Sequence, residues 1–339
     1  HLLPGPYGYH TLPCYLIGTV TAAMPLTLVG SVADRFGPRR VMLVVALLFG
    51  LACIAAGQAR SLVVLTLCFF CLRFLGQGSL GMLSGLILAQ WYERKLGKAH
   101  AVRAIGGFAA GAALLPQPTA WLIEEIGWRL TLLALAGLVL VLTWPMLLTV
   151  FRNKPEDIGQ HLDGDPDEHT QHDTVHGGPP PAGDPAFTAK QAAATRAFWT
   201  CTLASVASGM IGTALIFHMV TMLQSAGLEG TAGQAAQAVQ AWPSVFAVST
   251  LGVGWLVDRF RAGPLLAAGT LLLGLATCVC LIAERGGSEH TVLIMAAGMG
   301  LFGLSQALVA GVSGPTIARY FGRTHHGSIR GSTSSMGVA

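Results

Sequence analysis

Charge is what this chain has least of. Only 11% of its 339 residues are Asp, Glu, Lys or Arg, against roughly 25% in a soluble globular domain, and the shortfall excludes an ordinary water-facing surface. No acid sits in the middle of a long apolar run, since all 16 fall in connections, at run ends or in one polar stretch. No nucleophile-and-base pair or metal-ligand set recurs at workable spacing, which disfavours an enzyme. Strict two-residue alternation is missing as well, so a membrane β-barrel is not expected. The N-terminus shows no initiator Met and no charged segment leading into a cleavage site, so no signal peptide is read and an incomplete chain is expected. The seven cysteines (14, 53, 68, 71, 201, 278 and 280) all lie in apolar segments. Cys68 and Cys71, flanked by Leu67, Phe69, Phe70 and Leu72, read as packing rather than as a redox or metal pair.

What is present is apolar. Hydrophobic residues make up 53% of the chain and its mean hydropathy is +0.60. A bilayer core of ~30 Å needs ~20 helical residues at 1.5 Å each. Nine runs approach or exceed that length: Thr11 to Val29, Val41 to Gly57, Leu62 to Trp91, Val102 to Ile123, Leu130 to Phe151, Phe198 to Leu223, Val239 to Val257, Leu265 to Ala283 and Thr291 to Ala318. The fold class expected is therefore an all-α membrane protein.

The cations fix an orientation. Arg35, Arg39, Arg40, Arg94, Lys95, Lys98, Arg103, Arg152, Lys154, Lys190, Arg196, Arg259, Arg261, Arg319, Arg323 and Arg330 fall on one side, while the other receives Arg60, Arg129 and Arg285. By the positive-inside rule the first side is cytoplasmic. The stretch between Arg152 and Arg196 is polar, acidic and rich in Pro, Gly and His, and is expected to be a mobile cytoplasmic linker. Its His161, His169, His172 and His176 match no fixed metal-ligand geometry.

Two internal repeats show one plan used twice. Gly30-Ser-Val-Ala-Asp34-Arg-Phe returns as Gly254-Trp-Leu-Val-Asp258-Arg-Phe, each Gly four residues before its Asp. Leu72 to Leu80 returns as Leu301 to Val309, and at the same offset Trp91-Tyr92 meets Tyr320-Phe321. The domains expected are a first bundle over residues 1–151, a linker over 152–196 and a second bundle over 197–339.

Gly30, Asp34, Arg35, Gly37, Arg39 and Arg40 resemble the signature loop between the second and third helices of the major facilitator superfamily, and Gly254, Asp258 and Arg259 its second-half echo. The resemblance covers essentially the whole chain. It implies two pseudo-symmetric six-helix bundles, with helices two to ten of a twelve-helix plan present and the eleventh begun after Ser328. It also implies that Asp34 latches the two halves on the cytoplasmic side. The gating set is thus Gly30, Asp34, Arg35, Gly37, Arg39, Asp258 and Arg259, the role weighted to Asp34 because the second loop carries a two-residue insertion. A carboxylate there can stabilise the positive end of a neighbouring helix or pair with an arginine of the next loop; the alternative to the latch is a solvated turn with a helix-ending glycine.

Candidate solute residues are Arg73, Gln77, His218 and Gln306. A mid-helix cation costs at least ~2.5 kcal/mol and needs a polar partner. Either Arg73 offers its fork to a carboxylate or phosphate, or it bonds carbonyls of a neighbouring helix. Gln77 lies one residue further from Arg73 than the superfamily motif has it, which on an α-helix rotates it by about 100°. His218 suits proton coupling, or a structural hydrogen bond. Gln240, Trp242 and Ser313 either line a cavity or act as polar glue between helices. Gly107 and Gly111, with Pro116 and Pro118, suggest close packing and a kink in the fifth helix and lack the Gly-Pro pairing of the antiporter motif.

An Arg and a His without an intramembrane acid favour an anionic solute. Arg73-Phe-Leu-Gly-Gln77-Gly and Phe217-His218 are similar to oxalate/formate and monocarboxylate carriers. The resemblance implies a secondary transporter of a small organic anion in the plasma membrane. The alternatives are an efflux carrier of hydrophobic compounds and a transporter-like sensor. The partners expected are the solute, the bilayer and a coupling proton, with no cofactor, metal, nucleic acid or second copy.

Overall fold

Backbone polar groups inside a bilayer have no water to bind, so an apolar run must close its own hydrogen bonds, and helices do so within one segment. The computed structural model describes residues 17–109, 111, 114–161, 163, 186–226, 231–286 and 290–338, and these contain helices and turns but no strand. In chain order the helices are α1 (Ile17–Phe36), α2 (Pro38–Gly57), α3 (Leu62–Trp91), α4 (Leu96–Arg103) and α5 (Pro116–Thr149). A short α6 (Ala189–Ala193) leads to α7 (Arg196–Ser225), α8 (Thr231–Arg259), α9 (Ala262–Gly286), α10 (Thr291–Phe321) and α11 (His326–Val338).

Seven of the described helices (α1, α2, α3, α5, α7, α9 and α10) are long and apolar enough to cross a membrane. Only 17% of the apolar window of α5 and 22% of that of α3 is buried within the protein. Leu28, Leu51, Val141 and Leu271 stand exposed instead. Such a surface would be an aggregation hazard in water, whereas against lipid it is the favourable one. The chain is a multi-pass membrane protein.

Glycines mark the sharp corners. Gly37 (φ 85°) ends α1, with Pro38 opening α2 immediately, and Gly127 (φ 79°) turns the backbone within the segment that holds α5. An L side chain is strained at such angles, and Pro is favoured at a helix start because its missing N–H is not needed there. The run Leu130 to Phe151 therefore follows the corner at Gly127. The run Val102 to Ile123 is shared between α4, a π-helical continuation at Ala104–Ala109, and the start of α5.

The chain forms two compact units. The first comprises His1–Glu93, Pro118–Thr195 and Ile317–Ala339. Ala33, Val45, Ala52, Leu75, Leu83 and Leu86 form a buried cluster joining α1, α2 and α3, and α11 packs along α1. The second unit comprises Arg94–Gln117 and Arg196–Thr316. Met219, Leu223, Ala276, Cys280, Met295, Met299 and Phe302 bind α7, α9 and α10 together, and α4 packs along α8. Each unit thus incorporates one helix from the other side of the polar stretch: α11 in the first, α4 in the second.

The repeat is visible in these helices, with one adjustment. After α3 the chain leaves the helix at Tyr92 and restarts at Leu96; after α10 it leaves at Gly322 and restarts at His326 in the same pattern. Trp91 therefore corresponds to Phe321, one residue from the pairing with Tyr320 that the sequence suggests. Neighbouring aromatics at 91–92 and 320–321 conceal the shift. Phe302, which the repeat of Leu72 to Leu80 as Leu301 to Val309 sets opposite Arg73, is fully buried against Trp242, with ring centroids 5.8 Å apart.

Candidate functional site

The duplicated Gly-x3-Asp sequence has one structural meaning in both copies. Gly and Asp four residues apart lie one above the other on a helix face. Asp34, in the last turn of α1, accepts from Gly327 N–H at 2.7 Å and from Ser328 N–H at 2.8 Å. Those are orphan donors at the start of α11, the positive end of its dipole. Asp258, in the last turn of α8, accepts from Gly97 N–H at 2.9 Å and Lys98 N–H at 3.1 Å at the start of α4. The two-residue insertion after Asp258 falls between α8 and α9 and leaves the cap intact.

The glycines permit the approach. A Cβ on Gly30 would run into the backbone of Gly327, and one on Gly97 would lie 2.6 Å from both Gly254 O and Asp258 Oδ1. At Gly254 it would meet Ala101 Cβ at 2.8 Å, and at Gly327 it would meet Asp34 Oδ1 at 2.5 Å. Two glycines and one carboxylate are thus required at each cap. Gly97 and Gly327 escape the sequence reading; the signal that finds them is their matched place, six residues past Trp91 and past Phe321.

The remaining loop residues divide their tasks. Arg39 N–H donates to Asn153 Oδ1 at 3.0 Å, while its Nε and Nη2 donate to Leu147 O (2.8 Å) and Leu148 O (2.6 Å) near the end of α5. A cation there complements the negative end of the helix. Gly37 abuts the Asn153 side chain. Arg35 lies over the Phe36 ring at 5.3 Å and Arg259 over Trp255 at 5.5 Å, so neither guanidinium is part of the caps' hydrogen bonding.

Glu93 is a further residue absent from the sequence reading. Its carbonyl accepts from Arg319 Nη2 at 3.0 Å, and its carboxylate lies 3.4 Å from Arg323 Nη2. Its N–H donates to both oxygens of Asp163 at 3.2 Å. Asp163 belongs to the polar stretch, as does Phe187, whose N–H donates to Phe321 O at 3.3 Å and whose ring meets Phe321 edge-on. The stretch expected to be a free linker is therefore docked at both described ends. His169, His172 and His176 lie outside the described residues.

Arg73 is half-buried in α3, and its Nε donates to Thr19 Oγ1 of α1 at 3.3 Å. It is the second residue of a π-helical segment, Leu72–Leu80, in which Ser79 Oγ donates back to Phe74 O at 2.7 Å. A π turn takes one residue more than an α turn. The extra residue between Arg73 and Gln77, which would rotate Gln77 away on an α-helix, is absorbed in the wider turn. Gln77 is exposed.

His218 of α7 is exposed beside Phe217, and Gln306 of α10 is half-buried. Arg73 and Gln77 belong to the first unit, His218 and Gln306 to the second. Ser313 accepts from Ser205 at 3.3 Å and Trp242 packs on Phe302, both joining helices within the second unit. Gln240 is exposed.

The fold and site together define a duplicated all-α membrane bundle with one carboxylate cap in each copy. The profile described as the Major Facilitator Superfamily matches residues 11–339, and the chain belongs to that family. A probable sulfoacetate transporter, SauU, of Cupriavidus necator is 30% identical over 135 residues, which is 38% of this chain and 29% of the relative. The chain thus matches under a third of that relative's length. Among solved structures, the human organic anion transporter MFSD10 (TETRAN) aligns over 97% of this chain and 75% of its own, with a TM-score of 0.69 at 17% identity. The proton:xylose symporter XylE, bound to 6-bromo-6-deoxy-D-glucose, aligns over the same shares with a TM-score of 0.69 at 13% identity. At these identities the structures speak for the fold alone.

Proposed function

We propose that this chain moves a small organic anion, a monocarboxylate or a comparably small acid, across the plasma membrane as a secondary transporter. The observation that carries the anionic part is Arg73, a half-buried guanidinium in a membrane-spanning helix, at the opening of a π turn that also holds Gln77. A guanidinium fork recognises a carboxylate in two-point fashion. A relative named for sulfoacetate supports the same class. His218 is the candidate for a coupling proton.

Movement is by alternating access between the sequence halves 1–151 and 197–339, with the linker and both Asp loops on the cytoplasmic side. Each cap joins residues from the two halves, Asp34 to Gly327 and Ser328, Asp258 to Gly97 and Lys98. Closing that side makes the caps and opening it breaks them. The test is uptake of a panel of small carboxylates and neutral solutes by proteoliposomes carrying the chain, with and without Arg73→Ala. Selective loss of carboxylate uptake supports the reading, and equal effects on charged and neutral solutes refute it.

A further inference from the structure

A cavity of about 840 Å³ opens in the first unit beside the Asp34 cap. Pockets that hold small organic ligands run to about 300–1,000 Å³. Arg40 comes to its wall from the start of α2, Gln90 from the end of α3, Lys154 from the polar stretch, and Thr324 and His326 from the corner between α10 and α11. Arg73, Gln77, His218 and Gln306 lie outside the lining, so the cavity is separate from the residues assigned to the solute.

His326 leaves the wall unfinished. The side chain is 2% exposed, and its Nδ1 is buried without a hydrogen-bond partner among the described residues. Buried polar atoms almost always have one, so the orphan nitrogen points to a guest. Burial pushes the ring's pKa down to about 3, with Arg330 adding to the shift. The imidazole is therefore neutral near pH 7 and keeps one N–H to donate.

Charge narrows the kind of guest. Of the three carboxylates in the lining, Asp34 accepts from Gly327 and Ser328 N–H and Asp157 from Lys154 N–H at 3.2 Å, which leaves Glu156. Against them stand four cations: Arg323, which also meets Glu93, Arg35, which lies over Phe36, and the exposed Arg40 and Lys154. Arg39 N–H donates to Asn153 Oδ1 at 3.0 Å, and this bond brings the next residue of each segment, Arg40 and Lys154, to one wall. Two cations beside a neutral donor suit a group with more than one charge and several acceptors. A phosphate monoester carries about −1.5 to −2 and three acceptor oxygens.

We propose that this cavity binds a phosphate monoester, its phosphate held by Arg40 and Lys154 with His326 donating from the wall. The ester comes either from a soluble metabolite or from a lipid headgroup. Binding is read without any transported solute, so this inference stands or falls apart from the transport reading.

The test is a titration of the purified full chain with inorganic phosphate and glycerol 3-phosphate in phosphatidylcholine nanodiscs at constant ionic strength. A parallel set without soluble phosphate contains phosphatidic acid, the lipid form of the same group. Unfolding temperature is followed, since a ligand bound only by the folded state raises it by mass action. A saturable rise with the soluble probes assigns the site to a metabolite, and a rise confined to the phosphatidic acid set assigns it to a lipid. Either supports the proposal when the response weakens at least tenfold in Arg40→Gln/Lys154→Gln and is unchanged in Arg261→Gln, a basic loop position of the second unit outside this cavity. Should the double variant not fold, Lys154→Glu at its exposed position decides: at least tenfold weaker binding supports the site and unchanged binding overturns it. No saturable response in either set, a response surviving intact in the folded double variant, or one lost equally in Arg261→Gln also overturns it.

Discussion

At the scale of single residues, the chemistry rests on where a few polar groups find partners. Asp34 and Asp258 each satisfy two orphan N–H groups, and removing a helix cap costs about 0.5–2 kcal/mol. Asp34→Ala and Asp258→Ala should each lower unfolding free energy by about that much. The N–H groups they cap belong to different helices, so the double variant should be additive within ~0.5 kcal/mol; chemical unfolding in detergent measures both. The Asp residues were legible from the repeat, because a carboxylate placed four residues after a glycine twice is not a composition effect. Their backbone partners were not legible. A hydrogen bond to a main-chain N–H leaves no mark on the identity of Ser328 or Lys98. Glu93 was hidden for the same reason, since its carbonyl and N–H do much of the bonding.

At the scale of helices, close backbone approach at two crossings is the feature most exposed to test. Gly97→Leu places a side chain where a Cβ alone would meet Gly254 O and Asp258 Oδ1 at 2.6 Å, and forced overpacking costs about 1–3 kcal/mol. Gly274→Ala in α9 meets nothing within 4 Å and should be neutral or stabilising by up to about 1 kcal/mol. Thermal unfolding of the two variants separates a packing requirement from a general need for glycine. In the π-helical part of α3, Ser79→Ala removes the bond to Phe74 O and should cost about 1 kcal/mol. Hydropathy located the runs but not the helix ends. The first apolar run stops at Val29, yet α1 continues through Asp34 to Phe36 and stops where Gly37 turns the backbone. Polar residues beyond the apolar span extend the helix at little cost. Both π segments were also invisible, because i+5 bonding depends on packing around the helix and has no residue signature.

At the scale of the molecule, the family and the duplicated plan could be read from the sequence, since twenty-residue apolar runs and a repeated loop motif are strong signals. The assembly of each compact unit was less accessible. The packing of α11 along α1 and of α4 along α8, the arrangement that turns each carboxylate toward its helix, is a property of the folded chain alone. The central claim is that these twin caps are made and broken as the protein works. A cap worth one to two kcal/mol shifts a two-state population by a factor of about 5–30, enough to slow a cycle without touching the solute site. The measurement is solute flux set beside solute binding, in proteoliposomes carrying the native chain and the Asp34→Ala/Asp258→Ala variant. The account predicts a flux at least fivefold lower in the variant with carboxylate binding retained. Flux equal to that of the native chain, or binding lost in step with flux, would contradict it.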